Sequence, residues 1–167
     1  MVDYCKCCSS KKFSLCCEPY LTGELLPDTP EKLMRSRYTA FSLVNIDYIQ
    51  KTMQGKAIVN FNKNDVLLWA QNVTFIKLEI INTSMDGPNK GYVEFIATFI
   101  ENARLSCIHE NSEFIKENGA WYYCAGKQLP LKKNFIHKIP RNSMCPCGLL
   151  KKFKNCHGRG SSNAHNT

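Results

Sequence analysis

A thirteen-residue cysteine pattern occurs twice in this chain, and it limits what either end can fold into. "CKCCSSKKFSLCC" (5–17) has a second copy far downstream, "CPCGLLKKFKNCH" (145–157). Cys5 matches Cys145, Cys7 matches Cys147, Cys16 matches Cys156, and Cys17 matches His157. Lys11-Lys12-Phe13 and Lys151-Lys152-Phe153 recur at one offset between them. A histidine cannot join a disulfide, but it replaces cysteine readily as a zinc ligand. The Cys17-to-His157 exchange is therefore what a metal site permits and a disulfide framework forbids. The expectation is one structural Zn2+ at each end. Cys5, Cys7, Cys16 and Cys17 would hold the first, and Cys145, Cys147, Cys156 and His157 the second. Four protein ligands close a tetrahedral site and leave no position for a catalytic water.

Thirteen residues cannot bury a core, so metal binding must supply the local folding energy. The "KKFKNCH" stretch is expected to form one or two helical turns presenting the last two ligands. Phe13 and Phe153 would cover the apolar side of the metal while the lysines face solvent. Bound thiolates are ionised, which lowers the formal net charge of +8 to about +5.

That charge is unevenly spread. From Lys127 onward there are nine Lys or Arg and no Asp or Glu; the preceding 126 residues carry 13 basic and 14 acidic groups. A basic end on a near-neutral body fits an anionic partner, either nucleic acid or an acidic protein or ribosome surface. Lys151, Lys152, Lys154 and Arg159 are the expected contacts. With 167 residues, 44% of them hydrophobic, the chain has room for one ordinary core plus appendages. No run of 18 apolar residues occurs, so no membrane partner is expected. No secretory leader is apparent, and the cysteine usage suits a reducing compartment, so a cytoplasmic location is expected.

The middle reads as helices followed by strands. Thr29-Pro30-Glu31 is a helix start, with a capping hydroxyl, a proline at the first position and an acid in the first turn. Leu33, Arg37, Phe41 and Val44 then recur at helical spacing. Asn45 and Asp47 mark a break into a second short helix reaching Met53, and a third is expected from Asn64 to Gln71. Beyond Val73 the period changes to two: strands at 73–81, 92–100, about 105–116 and 120–126, joined by turns at 85–91, "ENA" and "ENG". The fold class is α+β, with N-terminal helices on a curved antiparallel sheet. Cys107 and Cys124 fall in strands as core residues. Residues 129–140 read as a linker, and 160–167 as a disordered tail.

"NSMCPCGLLKKFKNCHG" resembles the SEC-C zinc motif, similar to the one at the C-terminal end of the SecA translocase ATPase. Two such motifs around a body containing "LMRSRYTAF" (33–41), "HENSEF" (109–114) and "ENGAWYY" (117–123) resemble the YchJ family of bacterial proteins. The resemblance implies an N-terminal motif in 1–22, a nuclear-transport-factor-2-like cone (a cystatin-like arrangement) in 23–128 and a C-terminal motif in 141–159. One departure is Cys8, which stands where the pattern has glycine, as at Gly148. That position calls for a left-handed backbone, and Cys8 is expected to be a spare thiol.

Function is less legible. The first reading is a non-enzymatic module that docks through its basic zinc motifs; the SecA-type likeness implies a ribosome or chaperone partner. The second is a small-ligand binder or enzyme using a pocket of the cone, with Arg35, Arg37, Tyr38, His109 and Glu110 as candidates. His109 and Glu110 are adjacent on a strand, so they face opposite ways and do not form an acid/base pair. The simpler expectation is that Arg35 or Arg37 pairs with Glu110 to tie helix to sheet. The third reading is nucleic-acid binding by the basic C-terminal segment. No phosphate-binding glycine loop or nucleophile elbow occurs.

Overall fold

A computed structural model describes residues 3–131 and 136–159. The expected tail, 160–167, and part of the expected linker lie outside the described residues.

Five short helices precede the sheet: α1 (Glu18–Thr22), α2 (Pro30–Ser42), α3 (Ile46–Lys51), α4 (Lys56–Val59) and α5 (Lys63–Asn72). The Thr29 hydroxyl accepts from the Lys32 N–H at 3.2 Å, so α2 starts where its capping residue stands. Arg35 pairs with Glu31 at 2.8 Å one turn back. Val44 at φ 58 ends this helix region, and Asn45 caps α3 through the Tyr48 N–H. Asn62 caps α5 in the same way. Two single-turn helices, α1 and α4, carry no apolar period long enough to announce them in the sequence. None of the helices among the described residues is long and apolar enough to cross a membrane.

The sheet runs in sequence order: β1 (Thr74–Met85), β2 (Lys90–Glu101), β3 (Arg104–Glu117) and β4 (Ala120–Gln128), all antiparallel. Two-residue turns join the last three strands. Asn102 and Ala103 are both left-handed, as are Asn118 and Gly119, which matches the right-handed twist of the flanking strands. Register shifts at Phe75/Lys77 and Ile80/Asn82 in β1, and between Glu113 and Phe114 along the β3–β4 pairing, bend the sheet. Its concave face carries Val93, Phe95 and Ala97 from β2, which pack under α2 through Leu33, Tyr38 and Ala40, while Phe99 meets Trp69 of α5. Cys107 and Cys124 are buried, as expected of core thiols.

Residues 137–139 lie within the stretch expected to be a linker, yet they are docked. Strand β5 (His137–Lys138) pairs with Arg104 and Leu105 of β3, and Ile139 is buried.

The start of α2 presses on β2 at Gly91. A Cβ built there would lie 2.7 Å from Pro30 Cγ and 3.0 Å from Met85 Sδ. Gly91→Ala is expected to destabilise the protein by about 1–3 kcal/mol through overpacking, read as a lower midpoint in chemical denaturation. An unchanged midpoint would mean that Pro30 yields freely.

Candidate metal centres and the cone cavity

The two cysteine segments adopt one backbone. In each, the first cysteine N–H donates at 2.8 Å to the carbonyl of the lysine six residues on: Cys5 to Lys11, and Cys145 to Lys151. In each, residue four donates back at 3.3 Å to the first carbonyl, as Cys8 to Cys5 and Gly148 to Cys145. Cys8 sits at φ 60 and Gly148 at φ 78, so the position does require a left-handed residue. Ser10 and Leu150 occupy a second left-handed position that the sequence did not reveal. Between the ligand pairs lies a single 3-10 turn, Phe13–Leu15 in one copy and Phe153–Asn155 in the other. This is shorter than the upper limit of two turns expected for "KKFKNCH".

This backbone brings the ligand atoms together. In Cys5, Cys7, Cys16 and Cys17, and again in Cys145, Cys147, Cys156 and His157, all four lie within 4.8 Å of one another. Cys7 and Cys16 sulfurs are 3.5 Å apart, Cys16 and Cys17 3.9 Å, and Cys147 and Cys156 3.5 Å. His157 Nδ1 stands 3.3 Å from the sulfurs of Cys145 and Cys156. A disulfide would need about 2.05 Å. Tetrahedral sulfurs around zinc, with bonds of about 2.3 Å, fall about 3.8 Å apart. The donor sets therefore fit a four-coordinate ion.

Electrostatics make the same demand. Four thiols this close cannot all ionise without a cation. Hydrogen bonds from Cys17 and Cys5 draw the Cys7 thiol far below the ordinary range, while Cys17, bonded to Cys5 and Cys7, is driven far above it. Burial pushes Cys16 up to about 11. In the second copy, burial and the Cys147 contact raise Cys156 to about 11. Burial opposes ionisation of Cys145 too, but the Cys147 N–H and His157 outweigh it and hold that thiol at about 6. A divalent ion would remove the conflict by stabilising every thiolate at once.

The copies differ in setting. Cys5, Cys7 and Cys17 are buried in the same apolar cluster as Leu33, Tyr38 and Leu78. Arg35 donates from Nη1 to the Cys7 carbonyl at 3.0 Å, and the Ser9 hydroxyl lies 3.1 Å from Cys16 Sγ. Cys8 is outside the ligand set, but it is not idle: its sulfur meets the N–H of Leu78 at 3.5 Å on β1, an edge strand. The second copy packs as a separate cluster, with Cys145 and Phe153 against Ile100 and Ile139, and its His157 is exposed. Phe153 is buried, and Phe13 is partly buried. Lys151, Lys152, Lys154 and Arg159 are all exposed.

The pocket candidates divide. Arg37, Tyr38 and Glu110 line a cavity of about 250 Å³ between the helices and the concave sheet face; Arg35 and His109 do not. The expected pairing of Glu110 with Arg35 or Arg37 is not formed. Arg35 is taken by Glu31. Arg37 donates from Nη1 to the Ile49 carbonyl (2.8 Å) and to Thr52 Oγ1 (2.6 Å). Glu110 accepts instead from Ser112 (2.6 Å), Tyr123 (3.1 Å) and Gln128 (2.7 Å), all on its own hairpin. Helix and sheet are held by packing, not by this ion pair. Tyr123 also lines the cavity, while Trp121 is buried and donates to the Asp28 carbonyl.

Residues 29–126 match the model of the YchJ middle domain, described as nuclear-transport-factor-2-like, and residues 141–159 match the SEC-C motif. The chain belongs to the YchJ family. It is similar to a SEC-C motif protein from Rhodopseudomonas palustris solved in solution: 34% identity over 76% of this chain and 99% of that one, TM-score 0.70. A crystal structure of a SEC-C motif protein from Psychrobacter arcticus is similar over 95% of this chain and 97% of its own, at 27% identity and TM-score 0.64. The likeness of the first cysteine copy to the motif rests on the shared backbone described above.

His109, on the convex face, is held between two acceptors: Glu94 Oε1 at 2.8 Å from Nε2, and the Pro130 carbonyl at 3.0 Å from Nδ1. Both nitrogens must carry a proton to satisfy them, and the Glu94 bond, then the Pro130 bond, raises its pKa. This stabilisation is complete below the ordinary imidazole value of about 6.5 and is lost as pH rises through the higher native value. His109→Gln is expected to flatten the fall in unfolding free energy between those two values. Equal slopes in both proteins would mean that the imidazolium pair does not form.

Proposed function

We propose that this is a non-enzymatic interaction module in which two structural zinc ions shape the ends of the chain and the C-terminal knob docks on an acidic protein surface. Zinc is the ion that suits closed four-ligand sets of three or four thiolates. It would supply folding energy and fixed geometry; neither ligand set leaves a coordination position for a substrate.

The observation that carries the docking reading is the surface of the second motif. Leu149 and Leu150 are 62% and 85% exposed, beside the exposed Lys151, Lys152 and Lys154. Two adjacent apolar side chains in water, framed by cations, suit a partner that offers an apolar seat with acids around it. A phosphate backbone would use the lysines but leave the leucines without a role, which favours protein over nucleic acid. An acidic ribosomal protein or a chaperone fits this chemistry.

Native mass spectrometry of tag-free protein is expected to give two zinc ions per chain. Cys16→Ser and Cys156→Ser should each reduce this to one. Only Cys16→Ser should lower the melting temperature of the cone strongly, because its cluster shares the cone's core. Two variants with equal melting temperatures would refute that asymmetry.

Docking is tested by capture from lysate with the zinc-loaded protein. Lys151→Glu with Lys152→Glu, and separately Leu150→Ser, should each abolish recovery of the same protein partner. Recovery that survives Leu150→Ser but is lost on nuclease treatment would assign the knob to nucleic acid and overturn the protein reading.

A further inference from the structure

The cone cavity has no part in docking, yet its chemistry is that of a binding site. Its walls are aromatic and aliphatic. Trp69 stands edge-on to Phe41, Phe75 and Phe99, with ring centroids 5.6–5.9 Å apart. Trp69, Phe75 and Phe41 line the space, and the polar groups gather at one end of it: Arg37, Glu110, Ser112 and Tyr123.

Arg37 is 95% buried, since only 5% of it is exposed. Its hydrogen bonds run from Nη1 to Ile49 and Thr52, and among the described residues no carboxylate forms an ion pair with it. Its guanidinium lies over the Tyr123 ring, 4.7 Å from the centroid, and the hydroxyl of that ring donates to Glu110. Burial draws the guanidinium down to about 10, which leaves it charged at neutral pH. A buried cation without a carboxylate partner is costly unless something completes its hydrogen bonds.

Glu110 is positioned with equal care. Three donors hold it, and Gly126 on β4 makes room: a Cβ there would fall 2.2 Å from Glu110 Oε1. The cavity lining thus includes a guanidinium and a carboxylate, both in contact with Tyr123. Their charges cancel, so an occupant with a net charge would leave one of them uncompensated in a low-dielectric site. A neutral head that accepts from Arg37 and donates to Glu110 satisfies both. The body must be apolar. A cavity of about 150 Å³ holds benzene, so about 250 Å³ suits a ring system of roughly bicyclic size.

We propose that the cone cavity binds a neutral, planar aromatic molecule with a donor–acceptor head such as a primary amide, the head between Arg37 and Glu110 and the rings against Trp69 and Phe75. The probes are 2-naphthamide, 2-naphthoate and naphthalene, titrated into the full-length, zinc-loaded protein. Methyl NMR shifts of Ala97 and Met34, both lining the cavity, report occupancy. The amide should bind saturably, with the carboxylate and the bare hydrocarbon at least tenfold weaker. Glu110→Gln is nearly isosteric and leaves Arg37 as the one charge, so it should reverse the order in favour of 2-naphthoate. Arg37→Met should weaken the amide at least tenfold; Glu110→Gln keeps the test open if that variant does not fold. No binding by any probe, equal binding by all three, or an order unchanged by Glu110→Gln would overturn the proposal.

Discussion

The close approach of four donor atoms within each thirteen-residue segment is the constraint on which the rest of this architecture depends. Neither segment has the side chains for a core of its own. Backbone hydrogen bonds set the turn, but they leave sulfurs at 3.5 Å whose charges conflict in the absence of a cation. The same two left-handed positions, and the same 3-10 turn, recur in both copies. The shared donor spacing therefore goes with one local chain path, even though most of the filler residues outside Lys-Lys-Phe differ.

Identical local structures serve different ends because their surroundings differ. The first copy lies against α2 and the edge strand β1, and its sulfurs are part of the cone's interior. Arg35 and Cys8 both act at this seam, the one on a ligand carbonyl and the other on a strand N–H. The second copy rests on Ile100 and Ile139 in a smaller cluster, with its lysines and two leucines facing water. One motif is integral to the fold, and the other is displayed by it.

Much of this was legible in one sequence. The two four-residue clusters follow from the repeated spacing, and the donor atoms of each lie within 4.8 Å of one another. The capped start of α2, the strand period of two and the "ENG" turn are local signals with local causes, and each appears where its residues stand. The single-turn helices α1 and α4 escaped because one turn shows no period. Docking of Ile139 escaped because its partner, Ala103, lies far away in sequence; the Ile139 N–H bonds to that carbonyl at 3.0 Å. An ion pair between Glu110 and Arg35 or Arg37 depends on a distance that residue type does not encode.

What the sequence alone determined was chemistry tied to spacing: which atoms can hold metal, where the longest helix starts, and which strand residues share a face. Only the tertiary structure decided which charges meet. Arg35 and Arg37 sit two apart on α2, and composition gives them equal claim on Glu110. Helix rotation sends Arg35 to the first cysteine cluster and Arg37 into the cone, where Ser112, Tyr123 and Gln128 already hold the carboxylate. Spacing along a chain fixes direction within one element, whereas partners across elements are fixed by how the elements pack.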